Sequence, residues 1–182
     1  MADRDERVLF IGSYNGVMFP TLRLTYLVLP ERLVDAFAAV RGMLGDHSPT
    51  TMQRALAGFI DEGHLGAHLR TLRALLRERR DLLRDTLLRR LPRAAVLGPM
   101  RGGLHGHLRL PDAVDDVALA ARLAERGFGL EPMSSYAWGA PRARGLVFGY
   151  GGESAASAER AAERLAERLA EELAAAPGGA AA

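Results

Sequence analysis

From His64 to Leu91, leucine returns every three or four residues, at Leu65, Leu69, Leu72, Leu76, then Leu83, Leu87 and Leu91. That spacing lays one apolar stripe along a helix, and it predicts a single long amphipathic helix over His64–Leu91. The same period predicts a helix from Pro30 to Leu44, with Leu33, Phe37, Val40 and Leu44 on its stripe. Ser48-Pro49 reads as an N-cap followed by proline at the first helical position, opening a helix that ends at Gly63. Two further helices are predicted, at Val114–Arg126 before Gly127 and at Glu153–Ala175, the latter with Leu165, Leu169 and Leu173 on one face.

Between these helices the register changes. Arg7–Ile11 and Leu22–Leu29 are short apolar runs bounded by Gly and Pro, which predicts buried strands. Strands are also predicted at Ala94–Leu97, Leu104–Leu110 and Gly145–Tyr150, with a short extended piece near Phe128–Leu130. The alternation of strands and helices gives an α/β class with α+β character. Residues 177–182 read as a disordered tail.

At 182 residues and 48% hydrophobic, the chain can bury the core of one domain, or of one domain with a small annex. All 24 basic side chains are arginine, and the formal net charge is only +2. Charge of that size gives no reason to expect nucleic acid. Arg70, Arg73, Arg77, Arg80 and Arg84 form a stripe, but Glu78, Asp81 and Asp85 interleave with it and no stacking aromatics accompany it. That is the pattern of a salt-bridged solvated face, and no nucleic-acid partner is expected. Without cysteine there is no disulfide and no thiolate nucleophile. The first residues lack the apolar run of a signal peptide and no stretch is long enough to cross a bilayer, so a cytoplasmic protein with no membrane partner is expected.

One segment carries a family resemblance. Ile11-Gly-Ser-Tyr-Asn-Gly-Val-Met-Phe-Pro-Thr-Leu-Arg-Leu-Thr-Tyr26 resembles a strand–loop–strand of fold-type I pyridoxal-phosphate (PLP) aminotransferases, especially the aminotransferase-like half of MocR-type regulators. Their pattern runs approximately Ile-Gly-Thr-Phe-Ser-Lys-Thr-Leu-Phe-Pro-Gly-Leu-Arg-Leu-Gly-Tyr. Gly102-Gly-Leu-His-Gly-His-Leu-Arg-Leu-Pro111 and Gly145-Leu-Val-Phe-Gly-Tyr150 are similar to two small-domain strands of the same proteins. The resemblance spans about Arg7 to Leu173. It implies a truncated aspartate-aminotransferase-like fold, with residues 1–62 a remnant of the large domain and 63–176 the small C-terminal domain. In the full fold the two N-terminal strands belong to a larger sheet, so their bare edges are expected to be covered, by a second copy in a homodimer or by other parts of the chain.

By the same resemblance Gly16 stands where the family places its Schiff-base lysine. Glycine has no amine, so a PLP-independent protein is expected and no cofactor is assigned. Ser13 and Arg23 match positions that contact the cofactor phosphate, and a hydroxyl with a guanidinium makes a sensible anion pair. Tyr14 and Asn15 border that pocket. His105 and His107, two apart on a strand, share a face and suit proton transfer near neutral pH. A third ligand of evident spacing is lacking, so no metal is expected there, and His64 and His68 read as a solvated helix face. Tyr136, Trp138, Arg142 and Arg144 lie in a Gly/Pro/Ser-rich loop that matches the family's pocket-facing small-domain loop, where either arginine could receive a carboxylate.

Two functions fit. One is a PLP-independent enzyme using Tyr14, His105, His107 and Tyr136 for acid–base or electrostatic catalysis on a small molecule: cyclisation, isomerisation, elimination or condensation in secondary metabolism. The other is a non-catalytic ligand-binding or dimerisation module descended from a MocR-type regulator.

Overall fold

A computed structural model describes residues 6–45, 49–152 and 154–175. It divides into two compact units, Met1–Arg73 and Ala74–Ala182, with the division inside the longest helix.

In the first unit, β1 (Phe10–Ser13) and β2 (Thr25–Val28) form an antiparallel ribbon in which Phe10 faces Val28 and Ser13 faces Thr25. Both start later than the apolar runs suggest; for β2, the 3-10 turn Pro20–Leu22 takes up the beginning of the run. The turn ends on Arg23 in the left-handed region, φ +51°. Tyr26 lies opposite Gly12, and its ring occupies the space a Cβ there would need. Helices α1 (Glu31–Leu44), α2 (Thr50–Asp61) and the start of α3 (His64–Arg90) follow. Pro49 stands at the N-cap of α2, while the expected cap Ser48 lies outside the described residues. Gly45 and Gly63, both with positive φ, follow α1 and α2 closely, as the glycine stop signal requires.

The expectation of buried strands is overturned. Phe10, Ile11, Leu27 and Val28 are all exposed, and α1 buries no residue. Among the described residues of this unit the buried hydrophobic cluster is Leu22, Leu24 and Leu56, with Tyr14, Met18 and Met52 packed against them. An apolar run at a sheet centre and the same run in a lone ribbon look identical in sequence. The cover that would bury it is not part of the run.

The second unit is a two-layer arrangement. Strands β3 (Val96–Leu97), β4 (His105–Leu110), β5 (Glu131–Pro132) and β6 (Arg144–Gly149) form an antiparallel sheet in the order β3-β4-β6-β5. Leu108, Leu110, Leu146 and Phe148 alternate onto its inner face. There they join Leu83 and Leu87 of α3, Leu119 and Leu123 of α4 (Asp116–Glu125), and Leu165 and Leu169 of α5 (Ala155–Ala175) in one buried cluster. Asp115 caps α4, its carboxylate accepting from the N–H groups of Val117 and Ala118. The extended piece expected at Phe128–Leu130 falls slightly later, as β5. The expected tail at 177–182 lies outside the described residues.

Candidate functional site

The outer face of the four-stranded sheet carries the histidine pair. His105, His107 and Arg109 alternate outward on β4, away from the helices, and His107 stands opposite Val147 in register. A Cβ on Gly98 would strike the His107 ring, so glycine there leaves the imidazole its place beside that backbone. His105, His107, Met133, Tyr136 and Val147 line a shallow groove of about 240 Å³. His105 and Tyr136 are exposed; His107 and Met133 are half-buried.

The groove has a support that the sequence pattern did not disclose. Asp116, at the first turn of α4, has no solvent exposure. One oxygen accepts from Ser134 Oγ at 2.7 Å and Arg144 Nη1 at 3.0 Å; the other accepts from the N–H groups of Ser134 at 3.0 Å and Gly145 at 3.1 Å. Burial pushes its pKa up, but these bonds outweigh burial and hold the carboxyl below the ordinary range. The carboxylate thereby ties α4 to the 3-10 turn Met133–Tyr136, which supplies two groove residues, and to the start of β6. Arg144 is engaged as the partner of this carboxylate. Arg142 and Trp138 sit on the exposed loop, and Arg142 makes no hydrogen bond or ion pair among the described residues.

The remaining candidates lie in the first unit. Asn15 Oδ1 accepts from Leu24 N–H at 3.1 Å, and Ser13 Oγ accepts from Asn15 N–H at 3.2 Å, so both side chains close the loop between β1 and the 3-10 turn. Tyr14 is half-buried with its ring 5.4 Å from that of Tyr26. Arg23 is exposed and unpaired among the described residues. Gly16 tips the loop. A Cβ there meets no atom within 4 Å and its φ is not positive, so the backbone accepts an L side chain. His68, expected on a solvated face, is half-buried instead. Its Nε2 lies 2.7 Å from the Val17 carbonyl, which requires the Nε2–H form and pins the same loop.

A second groove, of about 320 Å³, lies between α3 and the turn 98–101 and is lined by Arg80, Arg84 and Arg101. Arg80 pairs with Asp81 at 2.8 Å and Arg84 with Asp85 at 2.9 Å, so two of its three cations are already matched. No cluster of three metal-ligating side chains occurs among the described residues, nor any helix long and apolar enough to cross a membrane.

The fold is aspartate-aminotransferase-like. A Pyrococcus horikoshii kynurenine aminotransferase matches 94% of this chain and 42% of its own, with TM-score 0.85 at 20% identity. An α-aminoadipate aminotransferase from Thermus thermophilus matches 93% and 43%, with TM-score 0.84 at 21% identity. Within that class the sequence relatives are MocR/PdxR-type regulators and aminotransferases, and the chain corresponds to a truncated C-terminal part of the aminotransferase-like domain. The pyridoxine biosynthesis transcriptional regulator PdxR of Corynebacterium glutamicum is 35% identical over 146 residues, 80% of this chain and 31% of that protein. The "Probable rhizopine catabolism regulatory protein MocR" of Rhizobium meliloti is 30% identical over 150 residues, 82% and 30%. The chain thus spans about 30% of the length of these relatives. No protein-family model matches it.

The residues present do not fit PLP as a tethered cofactor. The loop at Gly16 has room for a side chain, yet no lysine exists anywhere in the sequence to supply the imine nitrogen. The obstacle is chemical, not steric.

Proposed function

We propose that this chain is a PLP-independent small-molecule-binding module of aminotransferase-like build, derived from a MocR-type regulator. Residues 1–62 correspond to the large-domain portion and 63–176 to the small domain. The observation that carries this reading is glycine at position 16 in a chain without lysine: neither that loop nor any other side chain can form an internal aldimine. What supports binding is the groove of His105, His107, Tyr136 and Met133, backed by a fully bonded carboxylate that fixes its wall. An imidazole pair and a phenol offer both donors and acceptors to a polar ligand over an apolar floor. Ser13 and Arg23, at the same end of the β1–β2 ribbon, are assigned to an anionic group of a ligand.

The convergence of His105, His107 and Tyr136 in one groove favours a second reading, acid–base or electrostatic catalysis without PLP. Such groups could assist cyclisation, isomerisation, elimination or condensation of a small molecule in secondary metabolism. No electron sink is needed for these reactions.

Titration of the purified chain with PLP, followed by absorbance near about 400 nm, tests the common core of both readings. The expected spectrum is that of free PLP, with nothing retained after gel filtration. A shifted band that stays with the protein, or transamination by the chain alone, would overturn it.

A further inference from the structure

The groove between α3 and the turn 98–101 lies wholly in the second unit and shares no lining residue with the histidine groove. Arg80, Arg84 and Leu88 stand at i, i+4 and i+8 on α3, so one helix face presents two cations and then a leucine. Arg101 joins them from the turn that follows β3. Every ionisable side chain that lines the groove is therefore cationic. Two like charges one helical turn apart repel, and a third brought to the same space adds to that cost.

The aspartate pairs leave this arrangement intact. Asp81 and Asp85 each follow their arginine by one residue, on the order of 100° further round the helix, and neither lines the groove. Arg80 donates from Nε at 2.9 Å and Nη2 at 2.8 Å to a single Asp81 oxygen. Arg84 does the same to Asp85, at 3.2 and 2.9 Å. One edge of each guanidinium is thus held, while Nη1 has no partner among the described residues. The carboxylates fix the direction of both forks and leave donors at the other end unused. Arg101 makes no hydrogen bond or ion pair among the described residues. Leu97, Pro99 and Met100 give the wall an apolar surface, and Leu88 stays 61% exposed beside the cations. A space of about 320 Å³ suits a small molecule.

We propose that this groove binds a small organic anion, a phosphate monoester or a carboxylate joined to an apolar body. The anionic head takes the unused donors of Arg80, Arg84 and Arg101, since a guanidinium fork matches the oxygens of either group. The apolar body covers Leu88 and Leu97 and removes them from water.

Calorimetric titration of the full 182-residue chain with phenyl phosphate at low salt tests this. The expected dissociation constant is about 1 mM, in keeping with so small a ligand. Inorganic phosphate should bind about tenfold more weakly because it leaves the apolar wall in water, and uncharged benzyl alcohol should not bind. Phenylacetate identifies the head: tighter binding than phenyl phosphate assigns a carboxylate, weaker binding a phosphate. Arg84→Gln and Arg101→Gln should each weaken phenyl phosphate by about tenfold with the melting temperature unchanged. If one of them lowers the melting temperature, the other is the variant to read. Arg77→Gln, on the same helix but outside the groove, should leave the affinity unchanged. An equal loss in Arg77→Gln would reduce the effect to general attraction by a basic helix and overturn the site. Benzyl alcohol binding as tightly as phenyl phosphate, or binding of neither anion, overturns it too. Equal affinity for inorganic and phenyl phosphate overturns the apolar half of the proposal.

Discussion

Asp116 collects four hydrogen bonds from three residues more than fifteen positions away, and all of them favour the ionised form. Its folded pKa is depressed, so the stability it contributes is fully present above the unfolded carboxyl value of about 4 and is lost as pH falls through the lower folded value. Asp116→Ala leaves Arg144, the Ser134 hydroxyl and two N–H groups without their acceptor, and should cost about 3 kcal/mol at neutral pH. Asp116→Asn keeps the shape but loses the charge and turns one acceptor into an NH2 donor that faces two donors, so it should also cost stability. In urea melts the native chain and the Asn variant should differ at pH 7, and the gap should narrow as pH falls below the unfolded carboxyl value of about 4. A gap that stays constant across that range would show that the carboxylate's charge is not what holds the loop. The same residue explains why Arg144 looked like a ligand arginine in sequence: its partner is 28 positions away on another element.

At the scale of elements, Gly145 of β6 sits tight against the β4 backbone. A Cβ on Gly145 would strike the Leu108 carbonyl oxygen and the Met133 sulfur. A backbone oxygen held in a strand pair cannot swing aside as a side chain would. Gly145→Ala should therefore cost about 2 to 3 kcal/mol and displace Met133 from the groove. Thermal denaturation checks the first part; a substitution with no effect on the melting temperature would mean the strands shift freely. The helices were legible in sequence because leucine periodicity is local: His64–Leu91 against α3 at His64–Arg90, Pro30–Leu44 against α1 at Glu31–Leu44. The strands were legible less well, since the apolar run from Leu22 begins inside a 3-10 turn and Arg23 in the left-handed region delays the strand to Thr25. Two residues of spacing sufficed to put His105 and His107 on one face, but nothing local could pair them with Tyr136, which arrives through a turn anchored by Asp116.

Across the whole molecule, burial is divided very unevenly. Among the described residues the second unit holds sixteen buried apolar residues in one cluster, from Leu83 to Leu169; the first holds a cluster of Leu22, Leu24 and Leu56. Local stability follows buried apolar area, so the two clusters should open at different free energies. Leu146 has no exposure, and Leu146→Ala should remove about 3 kcal/mol, accelerating exchange throughout β4 and β6. Leu56→Ala, in the small cluster, should instead release the amides that fold the loop back, those of Tyr14 bonded to Leu24 and Met18 bonded to Tyr14, and spare the four-stranded sheet. Native-state hydrogen exchange read by peptide resolves the two sets. If either substitution speeds both sets equally, the buried clusters form a single cooperative unit. Selective loosening would mean that the loop carrying Ser13 to Arg23 owes its order to three leucines and a few half-buried neighbours, a foundation that a ligand or an assembling partner would strengthen by binding the ordered form.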